Sequence, residues 1–297
     1  MKTKLLCLAM ALVLGLALVS AIAPAKQVRG ATTWYVNPGE SIQAAVDAAS
    51  PGDTIIVRDG TYTENVDVNK DYLTIRSDNG AGTTLVQAAN RDDHVFGVTA
   101  DYVYISGFTV KGASGYQMAG IFISGLENNV SNNNVLMSSY GIYIKNSSNT
   151  TIESNSVDTD GIDLGTHGIY LDHSNNNIIA GNSVPRIHST YGGIYLYYSE
   201  HNSLVSNTIS SAGGICLVYS GNNALADNIV CSANLDGWGI DLVNSGNNTL
   251  TNSTISSHQR NFEVLGAASH NWWKFDLAIS YTLLPSKSIL LGNQRFL

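Results

Sequence analysis

The middle of the chain alternates apolar and polar residues in short bursts, and the bursts recur. Gly-Ile-Phe-Ile (120–123), Gly-Ile-Tyr-Ile (141–144), Gly-Ile-Tyr-Leu (168–171 and 193–196), Gly-Ile-Cys-Leu (214–217) and Gly-Ile-Asp-Leu (239–242) are variants of one block. Their glycines stand 21, 27, 25, 21 and 25 residues apart. A second block follows each, built on an apolar pair: Val130/Val135, Ile152/Val157, Ile179/Val184, Leu204/Ile209, Leu225/Val230 and Leu250/Ile255. Alternation with β-branched residues predicts short strands. The Asn and Gly clusters between them predict turns. No segment of the repeat carries a helical stripe. A unit of two or three short strands cannot bury its own apolar face, so it must stack on like neighbours. The pattern predicts an all-β coil of parallel strands, each repeat adding a rung of about 4.8 Å.

Stacking assigns most residues a place. Ile121, Ile142, Ile169, Ile194, Ile215 and Ile240 are expected to form one inward ladder, and Ile123, Ile144, Leu171, Leu196, Leu217 and Leu242 a second. The members of the apolar pairs supply two more. Asn133, Asn155, Asn182, Asn207 and Asn228 fall at the turn between paired strands. Asn tolerates left-handed backbone, and its amide can bond the Asn one rung up. These asparagines are therefore read as structural.

Upstream the repeat loosens but continues through Ile105/Val110 and through Val66, Val68, Leu73 and Ile75. Before it, Ser41 to Ala49 is the one helical segment, with Ile42, Ala45, Val46 and Ala49 on one face and Ser41 as N-cap. Such a helix suits the role of a lid on the open end of a coil. At the N-terminus, Lys2 and Lys4 precede an apolar run, Leu5 to Val19, and Ala23-Pro24-Ala25 offers a cleavage site. Residues 1–25 are expected to be a secretory signal, 32–265 the coil, and 266–297 an irregular tail or cap.

The run Ser41 to Ala49, Pro51-Gly52-Asp53-Thr54-Ile55 and Asp59-Gly60-Thr61-Tyr62 resembles the start of pectin-lyase-like right-handed parallel β-helix proteins. The Gly-Ile-Tyr-Leu and Asn-Asn-x-Leu-x-x-Asn-x-Ile blocks resemble NosD-type β-helix repeats of exported proteins. The resemblance covers residues 32–265 and implies a right-handed solenoid with a short N-terminal capping helix. Lyases, hydrolases, binding modules and plain scaffolds share that fold.

Candidate chemistry lies where the repeat is broken. The longest coil contains Asp158-Thr159-Asp160-Gly161-Ile162-Asp163, followed by His167, Asp172 and His173, and the next adds Arg186 and His188. Extra residues in neighbouring coils map to loops on one edge. The Asp-Thr-Asp-Gly-x-Asp run resembles a motif of polygalacturonase-type β-helix hydrolases, which matches Asp160 to a catalytic carboxylate. The expected reaction set is Asp160, Asp163, His167 and Arg186, and the alternative is a polar, solvated loop. As loop residues, Asp160 and His167 should tolerate Ala. Asp158, Asp160 and Asp163 are also a candidate Ca²⁺ set. A copper site is not carried over from the NosD resemblance. Beyond the signal, Met occurs only at 118 and 137, and the seven His form no short His-x-His.

A second candidate is a face. Tyr143, Tyr170 and Tyr195 share one outward position on successive rungs, with Asp172 and Tyr197 two residues on. Aromatic rows with polar neighbours suit sugar rings; the alternative is aromatic packing across rungs.

Composition narrows the field. The 297 residues carry 13% charged side chains, net −8, with no basic run. That excludes a nucleic-acid groove. Only Cys216 and Cys231 lie beyond the signal, too few for a disulfide framework. The expectation is an exported monomer, secreted, periplasmic or at the cell surface, that binds or processes polysaccharide or a cell-surface glycan. As an enzyme it would be a polysaccharide lyase or glycoside hydrolase. The alternative is a non-enzymatic scaffold or adhesion module. No second apolar run is long enough to span a membrane.

Overall fold

The computed structural model describes residues 30–159, 167–185, 192–211, 213–232, 238–257, 260–265, 271–274 and 295–296. The expected secretory signal, 1–25, lies outside them. Three parallel sheets run the length of the coil. Sheet A begins with Thr33–Val36 and Thr54–Val57, sheet B with Gly60–Thr63, and sheet C with Val66–Val68. The chain then visits A, B and C in turn, so that sheets B and C each hold nine described strands. The fold is the expected parallel β-helix.

All four apolar ladders point inward. Ile121, Ile142, Ile169 and Ile194 are fully buried on sheet C, and they pair rung to rung. The Val130-to-Leu250 ladder lies on sheet A and the Val135-to-Ile255 ladder on sheet B. Each buried aliphatic contributes roughly 1.5–3 kcal/mol. The helix Ile42–Ala48 buries Ile42 and Val46. Glu64 accepts from the backbone N–H of Ile42 at 2.8 Å and of Gln43 at 3.1 Å, closing the helix start. The Lys70 ammonium donates to the carbonyls of Val46 and Ala49 at its other end.

The asparagine ladder forms, with one correction. Asn155, Asn182 and Asn207 are buried, and each backbone N–H donates to the side-chain oxygen of the next Asn at 3.0 Å. The left-handed residue, however, is the one before each: Asn132, Ser154, Gly181, Ser206 and Asp227, with φ of 55–62°. The ladder Asn is selected for its amide, which bridges rungs, rather than for its backbone. A second ladder of the same construction runs through Thr150, Asn177, Asn202, Asn223 and Asn248, linked at 2.8–2.9 Å. A third, of serines, links Ser147, Ser174, Ser199, Ser220 and Ser245. The five coils from Asn146 to Asn252 therefore each turn on three left-handed residues, each followed by a residue of one of these polar ladders.

Trp272–Lys274 and Arg295–Phe296, from the stretch expected to be an irregular tail or cap, add two further strands to sheet A. Cys216 is buried and Cys231 half-buried, and both thiols are free.

Candidate functional site

The outer face of sheet C holds the row expected from the sequence. Phe122, Tyr143, Tyr170, Tyr195 and Cys216 are successive rung partners. Lys145, Asp172, Tyr197 and Val218 form a parallel row two residues on. One register thus brings together Tyr143, Tyr170, Tyr195, Asp172 and Tyr197.

The row is not an open platform. Tyr143 and Tyr170 lie face to face, their centroids 4.9 Å apart and their planes 3° from parallel. Tyr140 meets both edge-on, at 5.2 and 5.4 Å. His167 stacks on Tyr195 at 4.6 Å and leans on Tyr170 at 4.9 Å. Phe122 tilts onto Tyr143 at 5.3 Å and stacks on His94 at 4.4 Å. Tyr140, Tyr143 and His167 are buried, whereas Tyr170, Tyr195 and Tyr197 are half-exposed. A small second core therefore sits outside the barrel wall.

Glycine builds it. A Cβ on Gly141 would stand 2.1 Å from Val157 Cγ1 and 2.5 Å from the Gly168 carbonyl oxygen. The glycine and the following Ile142 both face inward at the corner between sheets B and C. Two successive inward positions reset the alternation, so the residue before the glycine emerges on the outer face. Ala119, Tyr140 and His167 occupy that place on three rungs. The sequence reading missed Tyr140 and His94. For Tyr140 the signal was its position directly before a repeat glycine; His94 sits outside the repeat and gave none.

The electrostatics follow from this packing. Burial pushes the Tyr143 phenol up, and the Asp172 carboxylate, which accepts its O–H at 3.1 Å, pushes it further. Burial, then Asp172 and the neighbouring tyrosines, raise Tyr170. Burial likewise raises Tyr140. At neutral pH these hydroxyls are donors, not bases. The second carboxylate oxygen of Asp172 lies 2.6 Å from His173 Nδ1. His94 is held toward its neutral form, by burial first, against the opposing pull of Asp93 and Asp67. Its Nδ1 accepts the Ala119 N–H at 2.9 Å.

Of the predicted reaction set only His167 is described. His167 opens the strand His167–Asp172 instead of lying in a loop, and it is buried among Tyr140, Tyr170 and Tyr195. The expectation that His167 tolerates Ala is corrected on that ground. Asp160, Asp163 and Arg186 lie outside the described residues. Of the candidate calcium set only Asp158 is described, at the end of the sheet B strand Ser156–Asp158.

These features define a parallel β-helix protein. A family described as periplasmic copper-binding protein (NosD) matches residues 46–230 and 186–273. The chain belongs to that family. No curated protein matches it. Among solved structures, tailspike protein 2 of the Escherichia coli O157:H7 bacteriophage CAB120 is similar at 14% identity and TM-score 0.60, over 83% of this chain and 42% of that one. XylC in complex with xylose is similar at 11% identity and TM-score 0.53, over 77% of this chain and 69% of that one. Geobacillus virus E2 ORF18 is similar at 13% and 0.51, over 80% and 60%. At these identities the likeness shows the fold.

The copper in the family's description has no matching donor set among the described residues. No three His, Cys, Asp or Glu side chains converge there. Burial pushes the Cys216 thiol up, which opposes the thiolate that a soft metal needs. Among the described residues no helix is long and apolar enough to cross a membrane.

Proposed function

We propose that this protein binds polysaccharide on the outer face of sheet C, as an exported protein. The observation that carries the reading is the register. Tyr170, Tyr195, Tyr197 and Asp172 are held on adjacent rungs with half-exposed rings and a fixed carboxylate. Rings braced from behind by Tyr140, Tyr143 and His167 lose little freedom on binding, which favours affinity. The family description, periplasmic, supports export. A β-helix solved with xylose supports a sugar ligand for this architecture.

Binding is favoured over catalysis by the state of the groups present. The phenols of Tyr143 and Tyr170 remain protonated, and both oxygens of Asp172 are engaged. The scaffold reading draws on the mutual burial of Tyr140 and Tyr143, which stabilises the wall whatever binds outside it. Retention on immobilised polysaccharides, paired with assays for reducing ends and unsaturated products, separates the readings. We expect retention without product, weakened about tenfold by Tyr195→Ala. Product formation would make the protein an enzyme. Absence of retention on every polymer would leave the scaffold.

A further inference from the structure

Between sheets C and A five successive coils turn on two left-handed residues each, and the first of the two directly follows the sheet C strand. That first residue is Asn146, His173, Tyr198, Tyr219 and Asn244 in turn, with φ of 51, 49, 45, 50 and 50°. Each donates its backbone N–H to the next rung: to Asp172, Tyr197, Val218, Val243 and Leu265 carbonyls at 2.8–3.1 Å. The backbone requirement is therefore the same on all five. Asn meets it at low steric cost, and the outer two coils use Asn. The inner three carry aromatic rings instead.

Those rings form a stack. His173 lies 5.1 Å from Tyr198 at 18°, and Tyr198 lies 4.8 Å from Tyr219 at 10°. Tyr197 closes against Tyr198 edge-on at 4.6 Å. Unlike the cluster on sheet C, the stack faces solvent: Tyr198 is 43% and Tyr219 44% exposed, and the His173 side chain 56%. The turn does not need these rings, and a bulky side chain at positive φ adds strain. Such outliers concentrate where a surface is used.

We infer that His173, Tyr198 and Tyr219, with Tyr197 beside them, are a second contact site for a neutral polysaccharide lying along the coil axis. The inference rests on the polysaccharide reading and adds a site and a charge class to it. Ring edges and phenol hydroxyls repeat once per rung, about 4.8 Å, roughly the advance of one sugar unit. Phenols pair an apolar edge with a hydrogen-bonding tip, which matches the two kinds of surface on a sugar. Asp172 and Glu200 border the ridge with side chains 14% and 49% exposed. Lys145, one rung below Asp172, is the basic residue in that row. The border therefore repels a polyanion. Asp172 also joins the two aromatic groups, accepting from Tyr143 and contacting His173.

The test is the double variant Tyr198→Asn/Tyr219→Asn, which installs the side chain that this corner carries at Asn146 and Asn244. The full chain, this variant and Tyr195→Ala are titrated with xylan, cellulose and chitin as neutral probes and with polygalacturonate as the anionic one. The double variant is expected to melt no lower than the parent and to lose about tenfold or more in affinity for the preferred neutral polymer. Full affinity in the double variant, with loss in Tyr195→Ala, overturns the ridge and leaves the sheet C site. Loss in the double variant alone supports the ridge and removes the sheet C site. Tighter binding to polygalacturonate than to any neutral probe overturns the charge class. If the parent binds no polymer, both sites fall.

Discussion

Two aromatic groups sit a few residues from each other and do opposite things. Around Tyr143 the rings are packed on the outer wall of sheet C until Tyr140, Tyr143 and His167 are buried. Around Tyr198 the rings stack in the open. The difference comes from the backbone. On sheet C, an inward glycine pushes an extra side chain out beside the tyrosine row, and the gap between rungs is filled. At the corner, a left-handed residue throws its side chain away from the coil, where it meets the rings above and below and the neighbouring side chain of its own rung. Aromatic spacing alone therefore does not say whether a row is core or surface.

The largest effect should come from emptying the filled site. Tyr143→Ala removes a buried ring and an O–H donated to Asp172, and should cost about 3 kcal/mol in urea unfolding. A cost below that of an ordinary surface change, about 0.5 kcal/mol, would mean that the cluster is no core. Gly141→Ala tests the corner itself. Its Cβ would overlap Val157 and the Gly168 carbonyl, so about 2 kcal/mol is expected. The near-ultraviolet circular dichroism of the tyrosines should change with it, because Tyr140 moves.

A smaller effect is pH-dependent. The folded chain holds His94 below its ordinary value, mainly by burial. As pH falls below about 6.5, the unfolded chain takes up a proton that the folded chain resists. Stability from this group is therefore complete above that pH. It declines as pH drops toward the depressed folded value, then levels off. His94→Asn retains an acceptor for the Ala119 N–H and does not titrate. Its urea midpoint should lose less between pH 8 and pH 5 than the parent's; equal losses would remove His94 from the account. The smallest effect belongs to the open group, where Tyr198→Asn should change stability by less than about 0.5 kcal/mol.

The repeat made the fold legible without a structure. Ile121 through Ile240 and Val135 through Ile255 recur together every 21 to 27 residues, and stacking is the one arrangement that buries both sets. Much of the site was legible too, because Tyr143, Tyr170, Tyr195, Asp172 and Tyr197 inherit their register from those ladders. His167 was misplaced since it stands directly after the longest insertion, and sequence spacing does not show where a strand resumes.

By itself, then, the sequence determined which side chains point in, which share a rung position, and that amides bridge the turns. Those properties are local or periodic, and every coil repeats them. Only the tertiary structure decided that Tyr140 joins the tyrosine row, that Tyr143 is buried on an outward face, and that His173, Tyr198 and Tyr219 stand exposed at a corner. Each depends on how neighbouring rungs close over a glycine or turn at a left-handed residue. Exposure there is set by contacts between coils some 21 to 27 residues apart, and a pattern read along one coil does not contain them.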